Sequence, residues 1–273
     1  MKKQILSLAT ALTALTLNSC LQHESTITLN KDGSGTIVEE SRMSAEALAM
    51  MQAVEVLEDE NEDAQPAETP LENMISKERT EKRAKELGEG VTVVKAELVN
   101  VGAQKGARIT YRFTDINKVT LVSTEGLNMM YSEMEAEDAA DKDESIGFNY
   151  KDGVLTLKPN FPEDGMDGLG GDETENKEIG EKELGMMRTM MADMEISVNL
   201  VSASGIAETN ATHHDKNSVT LFEIDMNKVM ENPDGLKKLM TLDKVDPKQA
   251  YTEMNKIDGV KIEAKPEITI KLK

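Results

Sequence analysis

The only cysteine in 273 residues is Cys20, and that limits the fold before any pattern is read. One thiol cannot close a disulfide within its own chain, so burial and hydrogen bonding must hold the fold together. Ahead of Cys20 stand Lys2 and Lys3, an apolar run from Ile5 to Leu17, and then Ser19. A positive end, a short apolar core and a small residue at the cut are the parts of an export signal. The run is too short to span a bilayer as a helix, and no later run is long or apolar enough to cross one. Residues 1–19 are therefore read as a signal peptide cut between Ser19 and Cys20, which leaves residues 20–273 as one α+β domain.

The four residues at the cut, Leu17-Asn18-Ser19-Cys20, resemble the lipobox of bacterial lipoproteins, with Asn18 a departure from its usual smaller or less polar residue. The resemblance implies that Cys20 becomes the mature N-terminus, thioether-linked to diacylglycerol and N-acylated, with chains such as palmitate. No thiol then remains for a zinc site or a cysteine nucleophile. One acyl chain binds a membrane marginally, at about 0.8 kcal/mol per buried methylene, whereas two or three hold durably. Leu21 follows the cysteine. Under the sorting rule of enteric bacteria, the absence of Asp there favours the outer membrane, facing the periplasm, over the inner membrane.

The signal holds two lysines and no acid, so the 31 basic residues fall to 29 against 51 acidic ones, a net charge of −22. That charge argues against nucleic acid and against a body lying flat on anionic headgroups. With no tryptophan, four tyrosines, four phenylalanines and 18 methionines, the core is expected to be built from Met, Leu, Val and Ile.

Strand pairs with tight turns recur along the chain. Residues 26–30 and 36–42 flank Asp32-Gly33, a hairpin signal, about five residues after Cys20. Ser44 caps a helix with apolar positions through Leu57. Residues 59–70 read as an acidic linker, and residues 71–87 as one helix closed by Gly88. Residues 91–101 and 107–113 form a second hairpin, with Ile109, Tyr111 and Phe113 alternating against Arg108, Thr110 and Arg112. An acidic loop over 133–145 precedes a third hairpin around Asp152-Gly153, and a Gly- and acid-rich loop follows over 163–178. A methionine-striped helix over 181–193 runs into a strand at 196–200, and a hairpin-like unit completes itself at 219–224. Helices then start at Asp225, Asp234 and Pro247, and 260–264 and 267–272 close the chain as strands. Such a series predicts an antiparallel sheet of successive β-hairpins with helices packed on one face, an α+β fold. Asp115-Ile116-Asn117-Lys118-Val119 and Asp225-Met226-Asn227-Lys228-Val229 match at four of five positions, each after a strand. Both read as N-cap chemistry, with internal duplication the alternative.

Chemistry-bearing constellations are few. Met186, Met187, Met190, Met191 and Met194 stack at the spacing a Cu(I) thioether site would use, which is also the spacing of a core stripe, and the core reading is preferred. His213-His214 beside Asp215 read as surface turn residues, since adjacent side chains on an extended chain point apart. Asp164, Asp167, Asp172, Glu173 and Glu175 lack the spacing of a calcium loop. No nucleophile elbow, HExxH or P-loop is present, so no catalytic residue and no metal site are assigned. A carboxylate-based hydrolase remains the alternative from the enzyme class.

Asp32-Gly33-Ser34-Gly35, Phe113-Thr114-Asp115-Ile116-Asn117-Lys118, Gly205 through Thr212 running on to Asp225-Met226, and Gly259-Val260-Lys261-Ile262-Glu263 are together similar to a family of uncharacterised bacterial lipoproteins. They resemble the LppM-like lipoprotein domain more weakly. Neither resemblance implies a catalytic residue or a cofactor. The expectation is a lipid-anchored envelope protein that binds or builds rather than catalyses. Its partners are the membrane and either another envelope protein or a lipid, the latter case being a lipid-binding carrier; nucleic acid is not among them.

Overall fold

The structure is a computed structural model that describes residues 21–49, 69–122, 145–158, 185, 188–189, 191–232, 234–240 and 247–273. The expected α+β class is what it shows, with two sheets in place of one. β1 (Leu21–Leu29), β2 (Gly35–Met43), β3 (Thr92–Val101), β4 (Gln104–Phe113), β8 (Glu195–Ser202), β10 (Ser218–Asp225) and β11 (Val260–Ile262) form a seven-stranded sheet in the order β11-β10-β8-β1-β2-β4-β3. β5 (Thr120–Val122), β6 (Ser145–Lys151), β7 (Val154–Lys158), β9 (Ile206–Thr209) and β12 (Ile268–Leu272) form a second, in the order β5-β6-β7-β12-β9.

The three expected hairpins form where turn chemistry demands them. Asp152 and Gly153 both hold positive φ, 53° and 80°, the backbone a two-residue hairpin needs. The chain departs from simple hairpin succession at three places. β1 begins at Leu21 rather than near position 26, and it pairs in parallel with β8, Ile27 opposite Leu200. The segment Ile206–Thr209 crosses to the second sheet. The last two strands do not pair with each other: β11 joins β10, and β12 lies between β7 and β9. Alternation identifies a strand's faces but not its neighbour, and these pairings are long-range.

Alternation also sets the layers. In β1 and β2 the odd-numbered residues from His23 and Gly35 onward are buried, and the even-numbered ones are not. One cluster joins that inner face, through Ile27, Ile37, Tyr111, Phe113, Ile196 and Leu200, to Phe148, Leu155, Leu157, Ile268 and Ile270 of the second sheet. Helices cover the same face. The single helix expected over 71–87 is two, because Ser76 interrupts it as a new N-cap. α1 (Pro70–Met74) starts with a capping box between Thr69 and Glu72, and Ser76 accepts from Arg79 N–H to start α2 (Lys77–Glu86). Ala84 and Leu87 enter the main core, while Met74 joins Met43, Leu48 and Ala107 in a satellite cluster with Leu21 packed against it. α3 (Met226–Glu231), α4 (Gly235–Met240) and α5 (Pro247–Met254) supply Met226, Val229, Leu236, Leu239, Tyr251 and Met254. Aliphatics and methionine dominate, but Tyr111 and Phe113 are among the largest fully buried side chains.

The paired Asp-x-Asn-Lys-Val stretches play the same physical part twice. Asp115 and Asp225 each accept a backbone N–H of the turn that follows, from Asn117 at 3.0 Å and Lys228 at 3.2 Å. Asn117 and Asn227 each grip a distant segment, at Tyr150 and at Asp193, and Val119 and Val229 are buried.

Candidate functional site

Cys20 and Ser19, the acidic stretches over 59–68, 133–144 and 163–178, and Met186, Met187 and Met190 lie outside the described residues. Of the methionine stripe, Met191 packs against the core and Met194 is 3 % exposed, with its carbonyl accepting from Met226 N–H; both serve packing. His213 meets Asn255 Oδ1 at 3.0 Å, while His214 is exposed and Asp215 holds the turn by accepting from Asn217 and Ser218 N–H. The histidine pair therefore parts, as an extended chain requires. Among the described residues no group of three or more His, Cys, Asp or Glu side chains stands close enough to share a metal ion.

What draws attention is the end of the seven-stranded sheet where β1 starts. Leu21, Met43 and Lys105 share one row across β1, β2 and β4. The next two rows on the inner face are polar where the strand pattern elsewhere is apolar. His23 lies opposite Ser41, and Ser25 opposite Glu39. All four are buried, His23 at 4 % and Ser25 at 1 % exposure. His23 Nδ1 meets Ser41 Oγ at 2.8 Å, while His23 Nε2 and Ser25 Oγ have no hydrogen-bond partner among the described residues. Arg83 comes down from α2 onto Glu39, with Nη2 at 2.7 Å and Nε at 3.1 Å from Oε1. A polar belt thus lies between the main core and the satellite cluster of Met43, Leu48, Met74 and Ala107, with Leu21 packed against both clusters. Sequence reading missed it because Glu39 and Arg83 are 44 residues apart. The one available signal was His, Ser, Glu and Ser occupying the buried parity of β1 and β2.

Burial pushes the His23 imidazole below its ordinary value of 6.5, and the nearby Glu39 carboxylate offsets this only in part. The folded state therefore prefers the neutral ring. Above pH 6.5 both states are neutral at this site and nothing is lost. As pH falls below 6.5 the unfolded chain takes up the proton first, and stability drops by up to about 1.4 kcal/mol per pH unit until the folded ring also protonates. Urea midpoints at pH 7.5 and 5.5 measure this, and His23→Gln is expected to flatten the dependence.

On the opposite face a hollow of about 40 Å³ is lined by Gln22, Glu24, Arg42, Glu195 and Ser197, with His23 at its base. It has room for one or two waters and not for an acyl chain. By strand alternation the His23 ring points away from it. The two features do not combine into one site.

No family model matches the chain. No curated protein matches it. Among solved structures it is similar to the folded domain of the LppM protein of Mycobacterium tuberculosis, determined by NMR, at 10% identity and a TM-score of 0.31, covering 76% of this chain and 84% of that one.

Proposed function

We propose that the chain is a lipid-anchored protein of the bacterial cell envelope, held to the membrane by diacylglycerol on Cys20 and acting there by binding or as a structural component rather than by catalysis. The observation that carries the reading is the Leu17-Asn18-Ser19-Cys20 cut site with its basic and apolar lead. In keeping with it, no helix among the described residues is long and apolar enough to cross a membrane. β1 starts at Leu21, directly after the cysteine. The described residues therefore leave no stretch between the cysteine and the first strand, and an anchored body would sit against the bilayer by the end of its larger sheet.

Cys20→Ser tests the proposal. The variant is expected to leave the membrane fraction and to lose incorporation of labelled palmitate, because its serine oxygen is not a substrate for the thioether step. A Cys20→Ser protein that stays with the membranes and is trimmed at the same place would end this reading.

A further inference from the structure

At the end of the sheet where β1 starts, one corner differs in character from the rest of the molecule. The row Leu21, Met43, Lys105 continues to Asn100 on β3. Neighbouring strands lie about 4.8 Å apart, so the β3–β4 hairpin stands on the order of 15 Å from Leu21. Val101 pairs with Gln104 one row further out, and Gly102 and Ala103 turn the chain beyond that. The tip therefore projects past the level of Leu21.

Its composition runs against that of the chain. Acidic residues number 51 of 273, yet residues 98–114 contain none and carry Lys105, Arg108 and Arg112, of which Arg108 is paired with Glu40. The exposed large hydrophobic side chains among the described residues are Val94, Leu98 and Val101, all on β3. Leu98 and Val101 are each 44 % exposed and lie in the half of the strand nearest the tip. The other corner of the same end is net acidic: Glu195 opens β8 opposite Asp225, with Asp193 just before it, and Lys228 pairs with Asp225 at 2.7 Å.

We infer that the tip of the β3–β4 hairpin, Val101 to Lys105, is a second membrane contact that seats in the headgroup region beside the anchor. The inference rests on the reading that Cys20 is lipidated. The anchor fixes which end of the sheet meets the bilayer, since Cys20 adjoins Leu21. The acidic corner is repelled from anionic headgroups, while the hairpin brings apolar side chains and a lysine. Such a contact would set the tilt of the body on the membrane, with β3 turned towards it.

A single label tests this. Lipidation consumes the only native thiol, so Ala103→Cys in the full-length lipidated protein carries the one reactive sulfur. The protein is labelled with bimane and reconstituted into vesicles of phosphatidylethanolamine and phosphatidylglycerol that contain nitroxide-bearing lipid. Lys31→Cys, in the exposed turn at the far end of β1, is the control. Quenching at position 103 is expected to exceed that at 31 by at least about twofold, as befits a group within roughly 5–10 Å of the acyl boundary. Val101→Asp should bring it back towards the control. Equal quenching at both positions, in protein that floats with the vesicles, overturns the hairpin contact and leaves the anchor standing. A tip shielded from aqueous iodide but not quenched by lipid nitroxide lies against protein and overturns it too. Protein that does not float and lacks the diacylglyceryl mass overturns both readings together.

Discussion

Arg83→Ala is expected to lower the unfolding free energy by about 3–5 kcal/mol, the cost of leaving a buried charge without its partner. Glu39 is 7 % exposed and faces the inside of the sheet, with Ile109 and Ser25 as cross-strand neighbours. Two nitrogens of Arg83 hold its carboxylate, which is the geometry that makes such a pair strong. The arginine side chain is 21 % exposed and also meets Glu86 at 3.6 Å, so water reaches it and the lower end of the range is the better guide. Replacing both partners by apolar residues of similar size, Glu39→Leu with Arg83→Met, should come out near neutral because no desolvated charge is left over. A urea double-mutant cycle measures this. An Arg83→Ala loss below about 1 kcal/mol would mean that the pair is effectively hydrated. The hold of α2 on the sheet would then lie in Ala84 and Leu87.

Asn255→Ala is expected to cost about 2–4 kcal/mol, because each buried polar group left without a partner costs about 1–3 kcal/mol. β11 is an edge strand, and Asn255 pairs with it as a further strand would. Its Oδ1 accepts from Ile262 N–H at 2.8 Å, and its Nδ2 donates to Ile262 O at 2.7 Å and to Tyr251 O at 3.1 Å. Ile262 is fully buried, so water cannot easily take over these bonds. Asn255→Asp keeps the acceptor but sets carboxylate oxygens against two carbonyls, and should lose nearly as much as alanine. Thermal melts at fixed pH compare the three proteins. A near-neutral Asn255→Asp would show that the donor side of the amide contributes little. The same device recurs at Asn117, which brackets Tyr150 N–H and C=O, and at Asn210, which accepts from Thr269 N–H and donates to Glu267 O.

Neither feature could be read from the chain in advance. The turns around Asp32-Gly33 and Asp152-Gly153, the alternation in 107–113, and the caps at Ser44, Asp115 and Asp225 are short-range facts, and each is found where local chemistry places it. Ser76 is just as local, yet the i,i+4 pairs Glu78–Lys82 and Glu81–Lys85 and the closing Gly88 read as one helix over 71–87. Asn255 sits in an unremarkable helix end, and only the approach of Ile262 makes it a strand mimic. Glu39 looks like any polar residue of a hairpin until α2 is laid across it.

From the residues alone came the three tight hairpins, several helix caps, the inside and outside of most described strands, the α+β class and the expectation of an anchor at Cys20. All of these depend on chemistry within a few positions, where chain geometry leaves little choice. The tertiary structure decided the split into two sheets, the parallel pairing of β1 with β8, and the polar belt under α2. It also decided that the acid-free tip of the β3–β4 hairpin stands at the same end as Leu21. Those depend on which distant surfaces meet, a competition among burial, pairing and desolvation that no local pattern resolves.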